Sequence, residues 1–437
     1  MQAMNRRIFL ATTALSASRV MGANDRVRVA LIGCGGRGRY VASLMKKSPN
    51  TEYAMTADCY DQNAEQARTE LNAAAKPVKD FRRVLENKEV DAVHIATPDH
   101  WHANVMILAC AAGKDIYVEK PLAHNIREGQ GMVAAALKNP KLVVQVGTQH
   151  RSSPHFKEVQ EIIKSGELGD VRFVRAWNYL NLSPKGLPIL PDSEPPAGLD
   201  WDMYLGPAPK VPFNKTRFLG TYRYFWDYSG GYLTDFGIHR LDTVHQIMGA
   251  EIPTSVSAVG GRFTLKGAGD VPDTLQVTFE YKDFIVSYES SNLNGFGMGR
   301  STPDHKVYNQ LGAHDRPNGM AFYGTNGTIF ADRVGYEVFA EPTSRGDQKP
   351  RISERHMNTK DATELHARNF IDCVRSRAIP NAPIVSGHRP TLIAHLGNIA
   401  YKTGHKLRWD GTSEHIADDS VAEKLTYRKS RVPWNLT

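Results

Sequence analysis

Two short stretches place chemically capable residues where packing alone explains them poorly. Residues 230–244 read GGYLTDFGIHRLDTV and set Asp235, His239 and Asp242 among apolar neighbours, at spacings of four and three. If Asp235 opens a helix, Asp235, His239 and Asp242 share one face. A carboxylate beside an imidazole fixes its tautomer and raises its basicity, which suits a general base near neutral pH. The same triplet also fits a metal site or a hydrogen-bonded polar corner of a core. Far upstream, Tyr117-Val118-Glu119-Lys120-Pro121-Leu122 ends an apolar strand with a carboxylate and an ammonium. Pro121 biases Lys120 toward extended backbone, aiming its ammonium outward as a donor to a hydroxyl or a developing alkoxide.

The elements that must position these groups begin at residue 26. Apolar strands over 26–32, 52–57, 91–96, 115–118 and 142–146 alternate with helical runs over 63–75, 102–112 and 126–137. That alternation predicts an α/β domain with a doubly wound parallel sheet, spanning 24–150. The first strand runs into Gly33-Cys34-Gly35-Gly36-Arg37-Gly38, a G-x-G-x-x-G pattern between strand and helix. Gly33 permits the tight turn, Gly35 with Gly36 exposes backbone N–H groups to a pyrophosphate, and Gly38 allows close helix packing. Arg37 adds a cation there. Asp58 ends the second strand twenty residues after Gly38, the position for a carboxylate that accepts adenosine ribose hydroxyls. A carboxylate repels a 2′-phosphate, so NAD is expected in preference to NADP.

Ligands of open α/β sheets lie beyond the carboxyl ends of the strands. Thr97 and Pro98, in Ala-Thr-Pro-Asp-His-Trp-His, should therefore face the cofactor with His100 and His102 nearby. No further histidine or carboxylate sits at a recognised ligand spacing, so no metal is expected. Gln149, His150 and Arg151 follow the last strand of this domain and are candidates for cofactor or sugar contact. Beyond residue 150 the pattern changes to a helix over 156–164, a loop rich in Pro and Gly over 183–212, and strand-like stretches at 171–177, 255–259, 274–281, 284–289, 327–331 and 336–339. These predict a second α/β domain, 151–437, with an open and largely antiparallel sheet. Helical runs over 362–376 and 390–403 close it. Arg223, Tyr224 and Trp226 precede the Asp235 segment and are candidates for lining a polyol site.

The combination of GCGGRG, ATPDHWH, VEKPL and DFGIHRLD resembles the Gfo/Idh/MocA family of oxidoreductases, and the resemblance covers essentially the whole chain after its first residues. It implies a Rossmann domain followed by a larger domain whose open sheet often mediates oligomerisation, hence a dimer or tetramer. It also implies that Lys120, Asp235 and His239 are the catalytic group and that Glu119 contacts the nicotinamide ribose. Asp242 is then an orienting or structural group. The expected reaction is hydride transfer between NAD and a hydroxyl-bearing carbon of a sugar or cyclic polyol. Some exported relatives, glycoside hydrolase family 109 among them, instead retain NAD and cleave glycosides by oxidation, elimination, water addition and re-reduction. The 230–242 stretch lacks the tyrosine-centred motif of that family.

Bulk properties narrow the setting. The 437 residues carry 54 Lys and Arg against 46 Asp and Glu, with no block of like charge of the kind that marks a nucleic-acid arm. The four cysteines form no C-x-x-C pair, and Cys110 lies in an apolar helical run. Asn5-Arg6-Arg7-Ile8-Phe9-Leu10, a modest apolar stretch and small residues near Gly22 resemble a twin-arginine export signal over 1–23. A periplasmic or secreted protein is expected on that reading, and a cytoplasmic one without it. No apolar run reaches the ~18 residues of a membrane span.

Overall fold

Strand β1 (Val27–Ile32) is the centre of a six-stranded sheet with β2 (Thr51–Ala57), β3 (Lys76–Val78), β4 (Ala92–Ile95), β5 (Asp115–Val118) and β6 (Val144–Val146). The order is β3-β2-β1-β4-β5-β6 and every pairing is parallel. Successive strand side chains alternate faces, and here both faces are covered. Val29 and Leu31 pack with Val41 and Met45 of the helix Gly36–Met45. Ala30 and Ile32 pack with Val105 and Met106 of the helix His102–Ala111 and Met132 of the helix Ile126–Lys138. Burial on both sides is why these strands read as continuous apolar runs. The computed structural model describes residues 26–250, 252–293, 317–341, 351–411 and 413–435. The twin-arginine segment, residues 1–23, lies outside them.

The helix Thr363–Ser376 falls late in the sequence, in the stretch assigned above to the second domain. Its Ala367, Phe370, Ile371 and Val374 nevertheless join the core of the first sheet against Val27 and Leu31. The chain thus returns to cover one face of the nucleotide domain with a distant helix.

The second sheet has ten strands: β7 (Phe173–Tyr179), β8 (Ser255–Gly261), β9 (Thr274–Glu280), β10 (Ile285–Ser291), β11 (Asn318–Tyr323), β12 (Gly327–Ala331), β13 (Gly335–Ala340), β14 (Arg355–Asn358), β15 (Leu407–Asp410) and β16 (His415–Ala417). Its order is β14-β13-β12-β11-β7-β10-β9-β8-β15-β16. Only β7 and β10 pair in parallel; the other neighbours are antiparallel. One face, with Val174, Val277, Phe279 and Phe322, packs on the helices Pro154–Lys164, Ile238–Met248 and Ile384–Thr403. The last helix starts six residues earlier than the expected 390. Pro390 reads as a start signal but lies inside the helix, where it has no N–H to give the Ser386 carbonyl. The neighbouring Thr391 hydroxyl donates to the Gly387 carbonyl at 2.8 Å.

Candidate active site

A cavity of about 650 Å³ opens between the carboxyl ends of β1, β2, β4 and β5 and the second domain. Its nucleotide-domain wall is the glycine loop. Gly33 has φ +90°, and a Cβ there would lie 2.5 Å from the Ala96 carbonyl carbon, so only glycine fits. A Cβ on Gly38 would lie 2.3 Å from the Gly33 carbonyl oxygen, which is how the following helix closes onto the turn. Gly35 and Gly36 face open space and line the cavity where that helix begins. Asp58 accepts the Cys34 N–H at 2.8 Å and the Tyr60 N–H at 2.9 Å while lining the same cavity. Burial pushes its carboxyl above the usual range.

Thr97, Pro98, Glu119 and Gln149 all reach the cavity as expected. Arg37 does too, but its Nε donates to Glu119 Oε1 at 2.8 Å, so it braces that carboxylate across the loop. His100 and His102 do not join the lining. His100 Nε2 lies 3.0 Å from the Tyr204 carbonyl. His102 bridges the Pro121 and Thr97 carbonyls at 2.7 and 2.9 Å, fixing the loops that carry Thr97 and Lys120. Both rings are buried, and burial drives the pKa of His100 down to about 3.

The opposite wall is built around Asp235. Lys120 Nζ donates to its Oδ1 at 2.6 Å and to its backbone carbonyl at 2.8 Å. Arg223 Nε lies 3.1 Å from its Oδ2. Burial alone raises a carboxyl, but Lys120 and Arg223 together pull that of Asp235 below its ordinary value. The expected Asp235–His239 pairing does not form among the described residues. Leu233–Gly237 is a π-helical turn ahead of the helix Ile238–Met248. A π-turn closes i→i+5 bonds and so removes the i,i+4 alignment of an α-helix. His239 lines the cavity with its Nδ1 buried and unpaired. Burial, then the Lys120 charge, pushes its pKa well below 6.5. The imidazole is therefore held neutral, where the sequence pattern implied a more basic one.

Three further candidates stand away from the cavity. Arg151 Nε donates to Asp242 Oδ1 at 2.7 Å, and the pair is packed behind the site. Trp226 gives its backbone N–H and its indole N–H to Asp270 at 2.8 and 2.9 Å, under the ammonium of Lys402. Its ring is a support for the loop and not a sugar platform. Tyr224 lines the cavity beside Arg223, and Tyr222, Tyr232, Phe236 and Arg333 do so without having been singled out. Three of these four flank Arg223 and Asp235 in sequence, which was the available signal. Arg333 sits in the β12–β13 hairpin, bound to Asp361 at 2.7 Å, and carries no motif.

The cavity fits a dinucleotide. Glycines leave room for close backbone approach at a helix N-terminus, and a carboxylate stands at the end of β2. Buried polar atoms without partners (Arg37 Nη2, Thr97 Oγ1 and Gln149 Oε1) belong to residues that line it. Among the described residues no group of three or more His, Cys, Asp or Glu is arranged to hold a metal, and no helix is long and apolar enough to cross a membrane.

Comparison with known proteins agrees with this geometry. Residues 27–148 match the model of the Gfo/Idh/MocA oxidoreductase family's NAD-binding Rossmann fold, and residues 155–311 and 345–436 match its C-terminal alpha/beta domain. The scyllo-inositol 2-dehydrogenase (NAD(+)) of Bacillus subtilis is 25% identical over 393 residues, covering 88% of this chain and 97% of the relative. The myo-inositol 2-dehydrogenase of Thermotoga maritima is 24% identical over 390 residues, 87% and 97% respectively. Among solved structures, levoglucosan dehydrogenase in complex with NADH and levoglucosan superposes with a TM-score of 0.66 at 19% identity, over 88% of this chain and 99% of that one. The chain belongs to the Gfo/Idh/MocA oxidoreductase family, with an NAD-binding Rossmann domain.

Proposed function

We propose that this member of the Gfo/Idh/MocA family is an NAD-dependent dehydrogenase that oxidises a hydroxyl-bearing carbon of a sugar or cyclic polyol. One observation carries the reading: the Lys120–Asp235 pair faces the same cavity as the glycine loop, although its members lie 115 residues apart. The curated relatives named for inositol oxidation, which this chain matches over most of its length, support the substrate class.

Bound NAD supplies a two-electron acceptor for hydride at its nicotinamide. The remaining work falls to the chain. The N–H groups of Gly35 and Gly36 at a helix N-terminus would hold the pyrophosphate. Asp58 would accept from the adenosine ribose hydroxyls and favour NAD over NADP, while Glu119, braced by Arg37, would take the nicotinamide ribose. Lys120 donates to the substrate hydroxyl oxygen and stabilises negative charge as it develops. His239, neutral because of its burial, accepts the hydroxyl proton. Oxidation of the alcohol to a carbonyl would release a hydride, which bound NAD would accept, and a proton, which His239 takes up. Asp235 anchors Lys120 and is a positioning group.

The test is NADH formation by the purified protein with a panel of inositols and aldoses. Stoichiometric NADH and ketone or lactone support the reading. Release of nitrophenol from nitrophenyl glycosides without net NADH, the redox-neutral route, would replace it.

A further inference from the structure

A polyhydroxylated ring presents hydroxyls at its rim and apolar C–H bonds on its faces. Lys120 and His239 suit the rim, but Trp226, the aromatic expected for the face, is turned into its own loop. Phe236 stands where that surface is missing. It is the one exposed residue between Gly230 and Met248, 37% exposed, and it lines the cavity. Leaving an aromatic ring in water forgoes the stabilisation of burying it, and a ligand with an apolar face would recover that.

The local fold explains the exposure. Tyr232, Asp235, Phe236 and His239 all line the cavity, so the π-turn and the start of the following helix lay one side along it. Gly237 lies flush on β10, where an added Cβ would meet Tyr288 Cζ at 2.8 Å. That close approach seats the turn on the sheet with Phe236 on the cavity side. Tyr232 backs the ring, the two centroids 4.9 Å apart and the planes 27° from parallel. The Lys120 ammonium lies 6.0 Å from the centre of the Phe236 ring and is fixed by Asp235 through bonds of 2.6 and 2.8 Å. At 6.0 Å it stands at the outer limit of a cation–π contact, so holding Lys120 does not account for the ring. A hydroxyl accepting from Lys120 at ~2.9 Å would bring the carbon ring that bears it beside Phe236, near enough to pack.

We propose that Phe236, backed by Tyr232, is the platform on which the C–H face of a cyclic substrate packs. The enzyme thereby selects a six-membered ring with mostly equatorial hydroxyls over an open-chain polyol bearing the same groups. This rests on the dehydrogenase reading above and narrows its substrate class. An open chain has no preformed apolar face and loses more rotational freedom on binding. The test compares kcat/KM with NAD for myo-inositol and 1,5-anhydro-D-glucitol against D-glucitol and xylitol. The better ring should lead the better chain by about 30-fold, the scale of burying an aromatic face. In Phe236→Ala that lead should shrink about tenfold, chiefly through KM for the rings. Phe236→Tyr should keep it. A ring that served only to tune Lys120 would lower kcat for both classes alike, so the ratio between classes is the diagnostic quantity.

Open-chain polyols used as well as the rings, or an unchanged ratio in Phe236→Ala, would overturn the proposal and leave the dehydrogenase reading standing. Saturation-transfer NMR gives a readout without turnover. Irradiating the aromatic protons of the NADH-loaded protein should carry saturation to the ring C–H protons of 1,5-anhydro-D-glucitol, and the transfer should fall severalfold in Phe236→Ala. That result supports the platform even where no polyol is oxidised. No transfer from the wild-type protein, or an undiminished transfer in Phe236→Ala, overturns it.

Discussion

Asp235 and Asp242 lie on one continuous helical segment, and each meets a cation carried just beyond a strand of the first sheet. Lys120 follows β5, Arg151 follows β6, and these strands are neighbours. The contacts are of similar length, 2.6 Å for Lys120–Asp235 and 2.7 Å for Arg151–Asp242. Yet the two pairs differ in surroundings. Asp235 has a second cation in Arg223 and faces the cavity, and its carboxyl is held below the ordinary range. Asp242 is 0% exposed, has one unpaired oxygen, and burial lifts its pKa to about 6 against the partial opposition of Arg151. Two carboxylate–cation pairs carried beyond neighbouring strands thus build a cavity wall in one case and an internal brace in the other. Residue spacing does not separate these cases; the number of counter-charges and access to the cavity do.

The contrast is open to breaking by substitution. Arg151→Met strands a fully buried carboxylate, and removing one member of such a pair costs about 3 to 5 kcal/mol of stability, read as a fall in the denaturant midpoint. Lys120→Met should leave the fold near wild type but lower kcat/KM about 10³-fold, the scale for losing a donor to a developing oxyanion. His239→Asn keeps a polar group of similar size and should cost about 10²-fold in kcat, at the lower end of general-base contributions. Trp226→Ala removes a support outside the cavity, so steady-state constants should move by no more than about threefold while stability falls as for an ordinary truncation of about 1 kcal/mol.

The smallest expected effect is in pH. A histidine with lowered pKa stays neutral as pH falls through 6.5, so kcat/KM should show no His239 inflection there and should decline only further into acid. Stability should behave differently. His94, His100 and His245 have folded pKa values near 3 because of burial. The unfolded chain takes up protons at these groups below about 6.5 while the fold does not, so stability falls from there toward pH 3. Urea midpoints measured across that window check the sign.

The nucleotide domain was legible in the sequence because its signals are local. Apolar strands, the 33–38 glycine turn and Asp58 all lie within a short stretch, and each performs its task through backbone geometry. The second sheet was legible in part: the stretches at 255–259, 274–281 and 284–289 match β8, β9 and β10, whereas β14, β15 and β16 are three or four residues long and carry no periodicity. The late helix Thr363–Ser376 was recognised as a helix but not as part of the first core, because sequence pattern shows which face is apolar and not what covers it. At the site, Lys120, Asp235 and His239 converge on the cavity. Their expected coupling was wrong in one respect: a π-turn is invisible to residue spacing, so the carboxylate meets Lys120 and Arg223 instead of the imidazole. His100, His102, Arg151 and Trp226 show the converse limit. A polar residue near a strand end is as readily a brace behind the site as a group within it.

The most direct measurement pairs Lys120→Met with Arg151→Met and records both denaturant unfolding and kcat/KM for each. Lys120→Met is expected to unfold close to the wild-type midpoint with its activity lost, while Arg151→Met unfolds much earlier and, where still folded, retains most of its turnover. A Lys120→Met protein that keeps its activity, or an Arg151→Met protein of native stability that has lost it, would contradict the division between cavity wall and internal brace.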